Sequence, residues 1–229
     1  DRLEASDRAQ RRFVADASHE LRSPLATLTT TIEVAASDPS ATMWPEVAPV
    51  LRSQSRRMGR LVEDLLTLAK IDDAGLPLRV ADTDLDEVVR EEVARMRPAS
   101  RHEVRVHADP VRIRGDGSRL QQVLRNLLSN AERHAGSWIA VSLRTEGEEA
   151  VVTVDDDGSG IAPGDRERVF ERFVRLDDSR TRDTGGSGLG LAISREIAAA
   201  HGGTLTAGED GRGHCRFELR LPLGAGAGV

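Results

Sequence analysis

Val47, Leu51, Gln54, Met58, Leu61, Leu65 and Leu68 recur at alternating spacings of four and three, a heptad seam sustained across a whole predicted helix. Such a seam draws one narrow stripe along a helix and requires a second helical surface to cover it. An upstream helix offers one: at about 100° per residue, Phe13, Ala17, Leu21, Leu25, Leu28 and Ile32 form a stripe about 120° wide. Ser37 to Pro45, with its Asp-Pro and Trp-Pro steps, separates the two helices. One hairpin cannot enclose both stripes, whereas two copies can by forming a four-helix bundle, so a homodimer is expected.

The helical period stops at Asp72 to Pro77, reading DDAGLP, where Gly and Pro mark a linker. Beyond it the period is mixed. A short strand is expected near Leu78, a helix over Leu85 to Met96, and strand-like alternation through Val104, Val106, Val111 and Ile113. A helix from Asp116 to His134 follows, then strands over Ile139 to Arg144 and Ala150 to Asp155. A long polar stretch leads to a helix at Leu189 to Ala200 and a last strand near Phe217 to Leu221. The expected division is a helical hairpin over 1–72, a linker over 73–77, an α/β layered domain over 78–222 and a disordered glycine-rich tail over 223–229.

Four segments carry chemistry. His19, in FVADASHELRSPL, projects opposite the apolar stripe of its helix, with Glu20 beside it and Ser23 one turn beyond on the same face; Pro24 should bend the helix there. On the helix after Asp116, Asn126, Asn130 and Arg133 share a polar face, so two amide oxygens are available to Mg²⁺ or its waters and one guanidinium to phosphate. VDDDGSGI, from Val154, runs from a strand into a glycine turn, where the Asp156 carboxylate is placed to accept a hydrogen bond from the exocyclic amine of a flat ligand. GGSGLGLAI opens a helix, and Gly185, Gly186, Gly188 and Gly190 let backbone N–H groups approach phosphate oxygens. Between these two glycine segments, Phe170 and Phe173 read as apolar anchors of a lid that carries Arg172, Arg175, Arg180 and Arg182.

Other chemistries fit poorly. The glycine spacing is neither GxGxxG nor GxxxxGK[ST], and His102, Glu103 and His107 form HExxxH in a strand-like segment rather than a zinc pair on a helix. His201, before Gly202 and Gly203, reads as a helix-terminal residue. A net charge of -6, 3% aromatic residues and no Tyr give no surface for stacking nucleic-acid bases, so no nucleic-acid partner is expected. Cys215 is the sole cysteine, which excludes an internal disulfide, and it reads as an apolar filler near the last strand. No run of about 18 apolar residues is present.

Taken in order, these segments resemble the signature boxes of sensor histidine kinases of two-component systems. FVADASHELRSPL is similar to the phosphoacceptor box, NLLSNAERHA to the asparagine box, DDDGSGI and GGSGLGLAI to the two glycine boxes, and FERF to the phenylalanine box. The resemblance implies a dimeric helical bundle followed by a Bergerat (GHKL) ATP-binding sandwich. It implies phosphorylation of His19 by ATP with Glu20 accepting an imidazole proton, and transfer to an aspartate of a response regulator receiver domain. A hydroxyl at Ser23 implies phosphatase activity toward that regulator. It implies Mg²⁺ on Asn130 with Asn126 nearby, Asp156 on the adenine amine, and Arg133, His134, Gly158, Gly160, Arg175, Gly186, Gly188, Leu189 and Gly190 around the nucleotide. Asp157 stands where Asn is common, His134 where an aromatic often sits, Arg133 where Lys is frequent and Ser23 where Thr or Asn is frequent. The implied parent protein is anchored in the bacterial inner membrane upstream of this portion, which would be cytoplasmic; the start at Asp1 fits a segment of a longer chain. Two alternatives remain at this stage: another ATPase of the same superfamily, in which His19 is incidental, and a scaffold that binds nucleotide without transferring phosphate.

Overall fold

A computed structural model describes residues 2–37, 43–176 and 186–224. Two long helices, α1 (Arg2–Ala36) and α2 (Trp44–Ala74), pack against each other as a hairpin. α1 runs on through Pro24, whose ring is buried. Most of the Ser37–Pro45 connection, 38–42, lies outside the described residues.

The hairpin shares out its apolar stripes differently from expectation. Val47, Leu61 and Leu68 of the heptad seam are buried, and Leu51, Gln54, Met58 and Leu65 are half-buried. Leu61 and Leu68 are therefore covered within the chain, as part of the core that continues into the α/β unit, while the half-buried positions keep part of the seam at the surface. On α1 the stripe splits. Ala17, Leu21 and Leu28 are half-buried, whereas Leu25 and Ile32 are each 53% exposed; Val62 and Leu66 of α2 are exposed as well. The side chain of Phe13 lies outside the described residues.

α2 also runs into the expected linker, continuing through Asp72 and Asp73 to Ala74. Gly75 ends it at φ +74, its N–H donating to Ile71 O at 3.0 Å, a geometry that suits a residue without Cβ. The chain is then irregular to Val80. The short strand expected near Leu78 forms at β1 (Ala81–Asp84), because its partner is β3 (Arg112–Gly115) and the Thr83–Ile113 register selects that segment.

The main sheet has the order β2 (Glu103–Ala108), β4 (Trp138–Glu146), β5 (Glu149–Asp156), β7 (Cys215–Pro222), β6 (Thr204–Glu209). β2 runs parallel to β4 and all other pairs are antiparallel. Alternation sends Ile139, Val141 and Leu143 of β4, Val152 and Val154 of β5, and Phe217, Leu219 and Leu221 of β7 into one core. α3 (Leu85–Met96), α4 (Gly117–His134) and α5 (Gly190–Ala200) close it, with Leu120, Leu124, Leu127, Ile193 and Ile197 among the buried side chains. On the opposite face of the sheet, Arg216 forms a bidentate pair with Asp155 at 2.7 and 2.8 Å, and Arg220 meets Glu146, Glu149 and Glu218. Those long side chains cover Val151 and Thr153, which are fully buried on the strand's other side.

Two polar anchors fix α4 and α5 to each other. Asp116 caps α4, accepting from Ser118 N and Arg119 N, and its own N–H donates to His201 Nε2 at 2.9 Å. His201, at the C-cap of α5, reaches Ile197 O through Nδ1, so both ring nitrogens are used in helix-end contacts. His102 and His107 make local contacts, with Glu132 and Asp109 respectively, and no group of three metal-ligating acid, His or Cys side chains occurs among the described residues.

Candidate functional site

Strand alternation that sends Val152 and Val154 toward the helices sends Asp156 the same way, at the strand end where the helical layer gives out. An open pocket of about 1030 Å³, measured out to its mouth, forms there. Asn130, Arg133 and His134 of α4 line one side, Gly160 and Ile161 the turn after β5, and Cys215 and Phe217 the sheet. Val169, Val174, Arg175 and Leu176 border it on another side, followed by Gly186, Ser187 and Gly188 and then Leu191 of α5. Apolar walls with a few converging polar groups suit a ligand with a flat base and a charged tail.

Asp156 is 1% exposed. Its Oδ1 accepts from Gly158 N at 3.0 Å, whereas its Oδ2 has no hydrogen-bond partner. Burial raises its pKa above the ordinary carboxylate value, against the lowering effects of Gly158 N–H and the Cys215 thiol. A buried, half-satisfied acceptor is costly unless a ligand donor completes it. Cys215 stands directly across the β5–β7 ladder from Asp156 and lines the same pocket. Burial first, then the charge of Asp156, push its thiol up to about 12. Cys215 is the buried core residue near the last strand that the sequence suggests, and it also lines the pocket.

The other end of the pocket is cationic. The pKa of Arg133 is lowered by desolvation and by the like charges of Arg175 and Arg60. Such crowding favours an anion between the guanidiniums. A Cβ on Gly186 would lie 2.0 Å from Arg133 Nη1, so this glycine is what lets the guanidinium close over the loop. Gly188 has φ +69, its O accepts from Phe173 N at 2.9 Å, and a Cβ there would strike Phe173 Cα at 2.8 Å. The second glycine segment and the FERF turn are therefore locked together, with Phe170 buried edge-on against Phe217. α5 begins at Gly190 with no side-chain cap. Its first N–H groups remain oriented for an anion.

Several expected site residues have other work. Asn126 is not among the residues that line the pocket; its Nδ2 donates to Gly190 O at 2.9 Å and Ser194 Oγ at 3.1 Å, bracing α4 on α5. The Asn126 amide nitrogen is thus placed as a brace between helices, and of the pair Asn130 lines the pocket. Gly158 does not line it either. A Cβ there would lie 2.2 Å from His134 O, so its smallness serves the packing of the turn on α4. Leu189 is fully buried in the core, and Gly190, close to Asn126, serves the α4–α5 contact. Asp157 accepts from Gly136 N, Ser137 N and Trp138 N, pinning the α4–β4 turn. Arg172, expected on the lid, pairs bidentately with Asp72 of α2 at 2.6 and 2.7 Å. Arg180, Arg182 and Gly185 lie outside the described residues.

His19 and Ser23 are exposed on α1, as expected, and Glu20 is half-buried with its carboxylate 3.5 Å from Arg57 of α2. No described residue of α1 or α2 lines the pocket. The histidine and the pocket are thus separate surfaces of one chain.

Residues 115–225 match the family model of histidine kinase-, DNA gyrase B- and HSP90-like ATPases, and residues 9–74 match that of the His Kinase A (phospho-acceptor) domain. In sequence the chain is similar to the probable sensor histidine kinase TcrY of Mycobacterium tuberculosis, 40% identical over 228 residues that cover 96% of this chain and 47% of that protein. In structure it is similar to the histidine kinase AdeS of Acinetobacter baumannii, with a TM-score of 0.70 and 23% identity, covering 90% of this chain and 98% of that one. It is also similar to the histidine kinase ThkA solved in complex with the response regulator protein TrrA, with a TM-score of 0.71 and 21% identity, covering 96% and 65%. At those identities the two structures establish the fold. The chain spans about half the length of the curated relatives it matches.

Proposed function

The chain belongs to the sensor histidine kinases of two-component systems, and from that premise we propose that it moves the γ-phosphoryl group of ATP onto His19 and from there to an aspartate of a response regulator. The observation that carries the reading is the pocket's polarity. A buried carboxylate oxygen without a partner at one end, Asp156 Oδ2, and a crowded set of guanidiniums at the other match the amine and the triphosphate of ATP. An exposed imidazole with a carboxylate neighbour supplies the acceptor that a plain ATPase would lack.

In the reaction, His19 Nε2 forms the N–P bond as the bond from the γ-phosphorus to the bridging oxygen breaks and ADP leaves. The other imidazole nitrogen gives its proton to Glu20, whose carboxylate is oriented by Arg57. Arg133, Arg175 and the N-terminus of α5 hold the phosphates, so the protein's contribution is largely positioning and charge neutralisation. Asn130 fits Mg²⁺, because its amide oxygen is a hard donor on a side chain that lines the pocket, and this ion typically keeps waters and nucleotide phosphates as its remaining ligands. When bound there it would neutralise charge on the triphosphate. Because the pocket and His19 lie apart, transfer requires the α/β unit to leave its resting place on α2 or to serve His19 of a second copy.

The same reading places a homodimer at the open face of the hairpin, around Leu25, Ile32, Val62 and Leu66. It places the regulator's receiver domain over His19, with the Ser23 hydroxyl one turn away to orient water for dephosphorylation. The parent protein would be anchored in the membrane outside this segment, with the kinase portion on the ATP-containing cytoplasmic side; no helix among the described residues is long and apolar enough to cross a membrane. The test is incubation with γ-labelled ATP and Mg²⁺. Label that survives base, is lost in acid and disappears in His19→Gln while nucleotide affinity persists supports the proposal; ATP hydrolysis without protein-bound label would reject it.

A further inference from the structure

The second glycine segment has two sides. Gly186, Ser187 and Gly188 line the pocket, and from behind, Asp64 Oδ2 of α2 accepts from Ser187 Oγ at 3.3 Å. Further along α2, Asp72 takes both Nη atoms of Arg172, the residue before Phe173, whose N–H holds Gly188 O. Leu61, Asp64, Leu68 and Asp72 lie at spacings of three, four and four, one stripe of a helix. Its two leucines are buried in the core that continues into the α/β unit, and its two acids grip the loops around the phosphate end of the pocket.

The two grips differ in kind. The Asp72–Arg172 pair is bidentate but partly exposed, with side-chain exposures of 52% and 32%. It contributes modestly and depends on geometry. Asp64 is desolvated enough that its pKa rises to about 6, with Ser187 as its hydrogen-bonding neighbour. A carboxylate in that position is sensitive to any change in the hydroxyl it holds and to any negative charge brought to the other side of the loop.

We propose that this stripe is a nucleotide-sensitive latch: Asp64 and Asp72 hold the phosphate loops on α2, and phosphates entering the glycine segment loosen that hold, freeing the α/β unit to travel. The proposal rests on the reading that the pocket takes ATP. Phosphates settling on the N–H groups of the segment and on Arg133 set negative charge against Asp64 and redirect the loop that carries Ser187. Linkage then makes the effect reciprocal, so breaking the latch raises ATP affinity by the factor by which ATP weakens the latch.

The experiment measures Mg²⁺-ATP affinity by calorimetry at fixed salt, in the full chain carrying His19→Gln so that no phosphoryl transfer intervenes. Asp64→Ala, Asp72→Arg and Arg172→Asp should each tighten binding by roughly three- to tenfold, and Asp72→Arg combined with Arg172→Asp should return it toward the parent value. Arg172→Asp is decisive, because its added negative charge would weaken binding if only long-range attraction were at work. As a second readout on the unsubstituted stripe, ATP should speed amide exchange along residues 61–72. Unchanged or weaker affinity in folded Arg172→Asp, or exchange in α2 indifferent to ATP, would overturn the latch. A parent chain that binds ATP normally while the variants do not differ from it rejects the latch alone, whereas a parent that binds no ATP rejects the pocket reading together with it.

Discussion

Replacing Asp156 with asparagine should weaken ATP binding while leaving the empty protein as stable as before or more so. Asparagine has the shape of aspartate, so its Oδ1 keeps the Gly158 N–H now held at 3.0 Å, but an NH₂ group takes the place of the unpartnered Oδ2 and meets the adenine amine donor to donor. Losing a hydrogen bond to a charged acceptor costs about 1.5–3 kcal/mol, which corresponds to roughly 10- to 150-fold in Kd. The stability side has the opposite sign. Burial raises the Asp156 pKa, so this group favours the folded state when protonated, an advantage present below the ordinary carboxylate pKa and lost as pH rises through the folded value. Above that value the ionised form opposes folding, and asparagine removes that burden. Calorimetry with Mg²⁺-ATP and thermal melts of the nucleotide-free chain read the two effects separately. An unchanged Kd would remove Asp156 from the adenine subsite, and a markedly lowered melting temperature would show that the affinity loss reflects a collapsed pocket.

Asp157 should behave as a structural acid: desolvation raises its pKa, but the hydrogen bonds from Ser137, Trp138 and Gly136 together outweigh it and depress the pKa, so its stabilisation is present above about pH 4 and lost as pH falls further. Asp157→Ala should therefore melt a few degrees lower at pH 7 and show a shallower acid decline than the parent; parallel curves would refute this. Asn126→Ala should lower stability by about 1–3 kcal/mol through the unmatched Gly190 and Ser194 contacts, read by urea melts, with Mg²⁺ dependence of ATP binding retained. A selective loss of the Mg²⁺ dependence would return Asn126 to the metal. Leu25→Glu or Leu66→Glu should turn a micromolar dimer into monomer by light scattering, because these side chains are exposed on the open hairpin face; a dimer insensitive to both would place the interface elsewhere.

Elements with strong, uninterrupted periodicity were legible to within a residue or two: α3, α4, α5 and the central strands β4, β5 and β7. β6 was not. Its sequence TLTAGE follows two glycines and buries only Leu205, so an edge strand held by its ladder to β7 leaves almost no pattern. Asn130, Arg133, Asp156, Gly160, Gly186 and Gly188, singled out from local sequence, come together around one pocket. Roles set by a distant partner were not legible. Nothing near Asn126 signals that Ser194, 68 residues on, will cover it, and nothing near Asp72 signals Arg172, 100 residues away. Cys215 and Phe217 join the pocket only through the β5–β7 register, which a single sequence does not specify. The heptad seam marked a surface needing cover, but that Leu61 and Leu68 would be covered within the chain was not legible, since periodicity defines a face without naming what packs on it.

The most direct test of the central claim is to locate the phosphoryl group. After incubation with Mg²⁺-ATP at neutral pH, tandem mass spectrometry under non-acidic conditions should find phosphate on His19 and on no other residue of α1. Phosphate on a different side chain, or an unmodified chain in a sample that has converted ATP to ADP, would contradict the account.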